Sequence, residues 1–127
     1  MSISLVNSNG NKTEISNIGW AFYLNLASAF YGWIEAGTDA PDDWDSSQEW
    51  EGHYDWNAGQ IIRSDDAENF AKALEKYLVD PARFEKANSL AQELSNIVGY
   101  EVTADLNDHS FVSNLIAALK DEEIRIW

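Results

Sequence analysis

The spacing of apolar residues changes period several times along the chain, and each change marks an element. From Ser2 to Ser16 apolar and polar positions alternate, with Ile3 and Leu5 on one side of Asn9-Gly10 and Thr13 and Ile15 on the other. Asn-Gly tolerates φ > 0, so this stretch predicts a β-hairpin with a type I′ turn, or a longer one given the surrounding Asn7, Ser8 and Asn11. Asn17 then offers a side-chain oxygen as a helix cap, and a helix is expected from there to about Tyr31. Its apolar residues cover nearly the whole circumference: Trp20, Leu24, Ala27 and Tyr31 form one stripe, and Phe22, Leu26, Ala29 and Phe30 fill others. A helix apolar on all sides is normally enclosed, so this one is expected at the centre of the fold, ended by Gly32.

Three cleaner stripes follow. Ala67, Phe70, Ala71, Leu74, Tyr77 and Leu78 recur at helical spacing and predict a second helix, capped by Ser64 or Asp65 with Glu68 completing a capping-box-like pair. Glu68 and Lys72 stand four apart in the favourable order. Asp80-Pro81 opens a third helix as cap and first helical residue, its stripe running through Phe84, Ala87, Leu90, Ala91, Leu94, Ile97 and Val98 to Gly99. A fourth, after Asn107 or Asp108, buries Phe111, Val112, Leu115, Ile116 and Leu119. Strand-like alternation marks Tyr100–Leu106 and Ile124–Trp127, the latter expected to join the hairpin, and Gln60–Arg63 reads as a brief strand. The fold class is therefore α+β and mainly helical. About four helices pack around the helix at 17–31, with a small antiparallel sheet from the N-terminal hairpin and a C-terminal strand, in a single domain spanning 1–127.

Periodicity does not account for the stretch from Trp33 to about Gln60. It holds four of the six tryptophans (Trp33, Trp44, Trp50, Trp56), Tyr54 and eight acids: Glu35, Asp39, Asp42, Asp43, Asp45, Glu49, Glu51 and Asp55. No Lys or Arg occurs between Lys12 and Arg63. A structureless connection of that length is uncommon in a compact domain. Either it holds a short element that periodicity misses, or its own aromatic rings pack it against the body.

Composition sharpens this picture. With 127 residues, 45% of them hydrophobic, the chain can bury the core of one domain. It has no cysteine, so disulfides, thiolate metal sites and cysteine nucleophiles are excluded. A formal charge of −14 repels phosphate backbones and anionic lipid, so neither nucleic acid nor a membrane is an expected partner. Basic proteins, cationic ligands and divalent metals fit that charge. The twenty uncharged residues between Glu14 and Glu35 are long enough to span a bilayer, and Lys12 with Ala27-Ser28-Ala29 imitates a signal peptide. Asn17, Asn25, Ser16 and Ser28 dilute the run and acids flank it, so it reads as a buried helix.

Candidate chemistry is sparse. Asp43, Asp45, Ser47, Glu49 and Glu51 alternate as in a calcium loop, but Gln48 stands where the turn needs glycine and Tyr54 where a glutamate should close the site. His53 and His109 lack zinc spacing. No nucleophile elbow, phosphate loop, dinucleotide fingerprint or zinc-protease helix occurs, so no catalytic residue, metal or cofactor is assigned. A pair of loop carboxylates could perform glycoside-type acid–base chemistry, but nothing singles out one acid to remain protonated. Each tryptophan, if covered, contributes up to about 5 kcal/mol from some 200 Å² of surface. Most loop indoles are therefore expected to fasten the segment to the helices, and Trp20 and Trp127 are expected in the core or at the sheet edge.

The pattern Gly19-Trp20, Gly32-Trp33, Ala36-Gly37-Thr38, Pro41, Trp44, Trp50, Gly52, Tyr54, Asn57-x-Gly59-Gln60, Asp66-Ala67 and Ala71-x-x-Leu74 covers about residues 17–78. In this stretch the chain resembles an uncharacterised family of small acidic bacterial proteins. The resemblance implies a bacterial, cytoplasmic protein and brings no activity, cofactor or site residue. Where that family tends to carry Ser or Asp near the glutamine, this chain has Trp56 and Ala58.

Three readings follow, in order of preference. The first is a non-catalytic domain engaging a basic protein, as an immunity protein or antitoxin would, through a patch of Trp44, Trp50, Tyr54, Trp56, Asp42, Asp43, Asp45, Glu49 and Glu51. The second is a small-molecule binder holding a cationic or sugar ligand in an aromatic pocket. The third is a carboxylate-based hydrolase.

Overall fold

The structure, a computed structural model, describes residues 2–7, 10, 12–35, 37, 45, 47, 54, 61–121 and 124–127. The alternating N-terminal stretch forms strands β1 (Ser2–Asn7) and β2 (Lys12–Ser16), which pair antiparallel with Ile3 opposite Ile15 and Leu5 opposite Thr13. Val6 faces Lys12, which leaves an odd number of residues between them. A two-residue type I′ turn cannot supply that. Instead the Gly10 N–H donates to the Asn7 carbonyl at 3.0 Å, and Gly10 takes φ +84°, so the turn is one residue longer and glycine closes it.

Helix α1 runs Asn17–Phe30, and its cap is Ser16, one residue earlier than expected. Ser16 is extended (φ −62°, ψ 153°), and its Oγ accepts the Gly19 N–H at 3.0 Å. Trp20, Phe22, Tyr23, Leu24, Leu26 and Ala27 are buried, while Asn25 and Ser28 bond back to the helix's own carbonyls on an exposed side. Helix α2 (Ser64–Val79) buries Ala67, Phe70, Ala71, Leu74 and Tyr77, as its stripe requires. Its cap position is Arg63, with no side-chain bond. The expected Asp65 cap fails because the Arg63 guanidinium grips that carboxylate through Nε and a terminal nitrogen, both at 3.1 Å. Glu68 and Lys72 do pair, at 3.4 Å.

Asp80 turns the chain rather than capping α3 (Arg83–Val98): its Oδ1 accepts the Ala82 N–H at 2.9 Å, and its carbonyl accepts the Arg83 N–H at 3.1 Å. The middle of the α3 stripe, Ala87, Leu90, Ala91 and Leu94, is buried, while its far end is not: Ile97 is 73% exposed. Gly99 stops the helix in the left-handed region at φ +80°, with its N–H on the Ser95 carbonyl. Residues 100–106 form no strand. Among them Val102 is held by the Ser95 hydroxyl, which accepts its N–H at 2.7 Å and donates to its carbonyl at 3.3 Å.

Helix α4 (His109–Asp121) packs mainly on α2 and buries Val112, Leu115, Ile116 and Leu119, whereas α1 lies among α2, α3 and the hairpin. Strand β3 (Ile124–Ile126) pairs antiparallel with β1, giving the order β2-β1-β3. Ile61 bridges Arg125, and the Ile62 N–H donates to the Ile124 carbonyl at 2.9 Å, so residues 61–62 line the far side of β3. Trp127 ends the sheet half in solvent, its N–H on the Ser4 carbonyl at 2.8 Å. The described residues thus form four helices and a three-stranded antiparallel sheet around one hydrophobic core, an α+β fold. Among the described residues no helix is long and apolar enough to cross a membrane.

Candidate functional site: the footing of the acidic segment

The acidic, tryptophan-rich segment leaves the body at Trp33 and is held again at Tyr54. Trp33 follows the turn after α1, where its N–H donates to the Ala27 carbonyl at 3.1 Å. Its indole stacks on Phe70 of α2 (centroids 4.7 Å apart, planes at 23°) and lies near-parallel to Tyr54 at 6.4 Å. The indole N–H reaches the Asp66 carbonyl at 3.2 Å, so the ring is buried with its one polar atom satisfied.

Tyr54 is 1% exposed and fastened at every polar atom. Its N–H donates to Glu35 Oε1 at 2.7 Å, and its carbonyl accepts the Trp20 indole N–H. Its hydroxyl donates to Asp66 Oδ2 at 2.6 Å and accepts the Arg63 N–H at 3.2 Å. Asp66 Oδ2 also accepts the Gly37 N–H at 3.0 Å. One carboxylate in the first turn of α2 thus clamps both the outgoing residue 37 and the returning residue 54. The helix N-terminus is a favourable place for that charge. Burial, and then the bond to Asp66, push the Tyr54 phenol well above its ordinary pKa, so it stays a neutral donor.

A second brace of the same kind stands beneath α4. Asp108, 1% exposed, accepts the Tyr23 hydroxyl at 2.7 Å and the Tyr77 hydroxyl at 2.8 Å on one oxygen and the Arg83 guanidinium on the other. Arg83 lies over the Tyr77 ring at 4.5 Å, and its Nε has no hydrogen-bond partner. Nearby, the Tyr31 hydroxyl donates to Asp80 Oδ2 at 2.9 Å, and Lys86 donates to the same oxygen. Lys86, then the Ala82 N–H and Tyr31, hold the Asp80 carboxyl down at about 2.

No family model, curated protein or solved structure matches the chain. Its own geometry must therefore carry the reading. Of the expected patch, Tyr54 and Asp45 are described; Trp44, Trp50, Trp56, Asp42, Asp43, Glu49 and Glu51 lie outside the described residues, as does His53. Tyr54 offers no surface to a partner and serves as a foot of the segment. Asp45 is exposed, and its Oδ1 accepts the Ser47 N–H at 3.0 Å and hydroxyl at 2.7 Å, which lower its pKa. Sequence reasoning passed over Asp66 and Asp108. Their signal was position: each stands four residues before an apolar stripe residue, Phe70 and Val112, and so on a buried helix face.

Both buried acids accept bonds from internal donors. Among the described residues no group of three or more His, Asp or Glu side chains is arranged to hold a metal ion. A groove of about 640 Å³ runs between α2 and α4 beside Ile61 and Ile62; the described residues lining it are aliphatic or charged apart from the hydroxyl of Ser64, and include Lys72, Glu68, Lys120 and Glu75. It offers no aromatic face for a sugar or a quaternary cation among those residues.

Proposed function

We propose that this chain is a non-catalytic binding domain whose acidic, aromatic segment engages a basic protein partner, in the manner of an immunity protein or antitoxin. One observation carries the reading. Residues 13–62 hold nine acids and no Lys or Arg, and the segment is footed on the body at Glu35, Gly37 and Tyr54. Six of those acids, with Trp44 and Trp50, fall between residues 37 and 54. Charge of one sign accelerates encounter with an oppositely charged partner, and an aromatic anchor slows release. Fixed feet reduce the ordering cost that binding otherwise incurs. The bacterial, cytoplasmic setting implied by the resemblance belongs to this proposal.

The test is capture of partners from the source lysate at low and high salt. A basic protein retained at about 50 mM salt and released by about 500 mM supports the reading, since the Debye length shrinks severalfold over that range. Capture indifferent to salt, or indifferent to Trp44→Ala with Trp50→Ala, refutes it. A saturable change in tryptophan fluorescence with a small cation or sugar would transfer preference to the small-molecule reading.

A further inference from the structure

We propose that the open edge of β2 is a self-complementary pairing surface on which a second copy of this chain docks, strand antiparallel to strand, across a two-fold axis at Thr13. The sheet order β2-β1-β3, extended on the β3 side by residues 61–62, leaves the outer edge of β2 unpaired among the described residues. The segment 102–105 approaches β2 only near Ile15 and Ser16, across a slot of about 260 Å³, and does not bond to it.

The direction of each backbone group on β2 follows from the ladder. Trp127 donates to the Ser4 carbonyl, so Ser4 faces β3. In an antiparallel sheet both backbone groups of a residue point to the same neighbour, and the direction alternates along the strand. Ile3 and Leu5 therefore face β2, and their partners Ile15 and Thr13 face back. Lys12 and Glu14 present their N–H and C=O groups to the open edge, whereas the carbonyl of Ser16, the cap of α1, accepts the first bond of that helix.

Those two residues, Lys12 and Glu14, restrict how two copies can pair. A two-fold axis must set outward-facing residues opposite one another, which leaves three registers within the strand. One places Lys12 against Lys12 of the second copy, and another places Glu14 against Glu14; both oppose like charges. The remaining register, centred on Thr13, places Lys12 opposite Glu14 twice, with four backbone hydrogen bonds between them. Lys12 and Glu14 are both exposed on the solvent face of the strand, so the ion pairs can form. Charges on an edge strand ordinarily discourage pairing, and Lys12 alone would do so. With Glu14 two residues on, the same charges select one partner and one register. Strands this short bury far less than the roughly 1,200 Å² of a standard interface, so the dimer is concentration-dependent.

Sedimentation equilibrium of the full chain in about 0.3 M salt, up to millimolar concentration, tests this. The expected result is a reversible monomer–dimer equilibrium that Lys12→Glu and Glu14→Lys each weaken roughly tenfold. An equimolar mixture of the two variants should recover the original affinity, because its total charge equals that of two unaltered chains and every cross-strand pair is again opposite in sign. Glu14→Pro removes an outward N–H while sparing the ladder to β1, and should abolish the dimer with the circular dichroism unchanged. A monomer at all concentrations overturns the proposal, as does a dimer indifferent to the two charge variants or a mixture no tighter than its components. If Glu14→Pro unfolds the chain, the mixture decides.

Discussion

Replacing Asp108 with alanine strikes the most deeply buried charge described in the protein. The carboxylate is 1% exposed and accepts from Tyr23, Tyr77 and Arg83, and the Arg83 side chain is itself only 11% exposed. Without Asp108 the guanidinium keeps neutral neighbours, the Tyr77 side chain with its ring at 4.5 Å and the Phe84 ring at 5.0 Å, and its Nε is already unpartnered. Removing one member of a buried ion pair costs about 3–5 kcal/mol, because the other is left charged and unpaired. A domain of this kind has about 5–15 kcal/mol in all, so Asp108→Ala should leave it marginal. Tyr23→Phe and Tyr77→Phe each delete one bond to a charged group and should cost about 1.5–3 kcal/mol. Asp108→Leu and Arg83→Met should each cost about 3–5 kcal/mol alone, and the two together, which remove both charges, no more than either, a coupling of at least about 3 kcal/mol. Urea unfolding followed by tryptophan fluorescence measures all of these at constant m. An Asp108→Ala cost below about 1 kcal/mol would refute the reasoning. So would additivity of the two sites to within about 0.5 kcal/mol.

Burial raises the phenols of Tyr23, Tyr31, Tyr54 and Tyr77, the last to about 12, so the folded state favours their neutral form. Their stabilising contribution is whole below pH 10 and is lost as pH rises above it; absorbance at 295 nm should show these four ionising together with unfolding, and four independent titrations near pH 10 would contradict this. Asp80 behaves oppositely: its pKa is depressed from 3.8 to about 2, so the stability it confers is present above pH 3.8 and lost as pH falls toward 2. Asp80→Asn should remove that loss from a urea-midpoint profile over pH 2–5, and a superimposable profile would dismiss the assignment. Gly19→Ala normally gains about 1 kcal/mol in a helix, but here the new Cβ would stand 2.8 Å from the capping Ser16 Oγ, so the variant should be no more stable than the original. A measured gain of 1 kcal/mol would show that the cap does not matter.

The helices were legible because each carries its own address: the stripes of α2 and α4 bury Phe70, Leu74, Val112 and Leu115 whatever they pack against. The hairpin and β3 were legible for the same local reason. Failures begin where a second residue decides. The alternation of residues 100–106 gave an extended chain, but pairing needs a neighbour, and Val102 found the Ser95 hydroxyl instead. Asp65 had the composition of a cap until Arg63 occupied it. Asp66 and Asp108 announced themselves only as acids on apolar faces; their tyrosine partners lie as far away as Tyr23, 85 residues from Asp108. Tyr54 looked like part of a surface because its neighbours in sequence are charged, and its burial depends on Trp20, Trp33 and Asp66 converging on it.

The Tyr23–Asp108 bond also bears on the order in which the chain can acquire its shape. Helices that bury their own stripes can collapse early, in several arrangements of similar hydrophobic quality, whereas a contact spanning 85 residues can close only in one of them. Any rival arrangement that covers Asp108 away from Arg83 strands a bare charge in oil. The carboxylate thus rejects misassembled bundles more forcefully than it rewards the correct one.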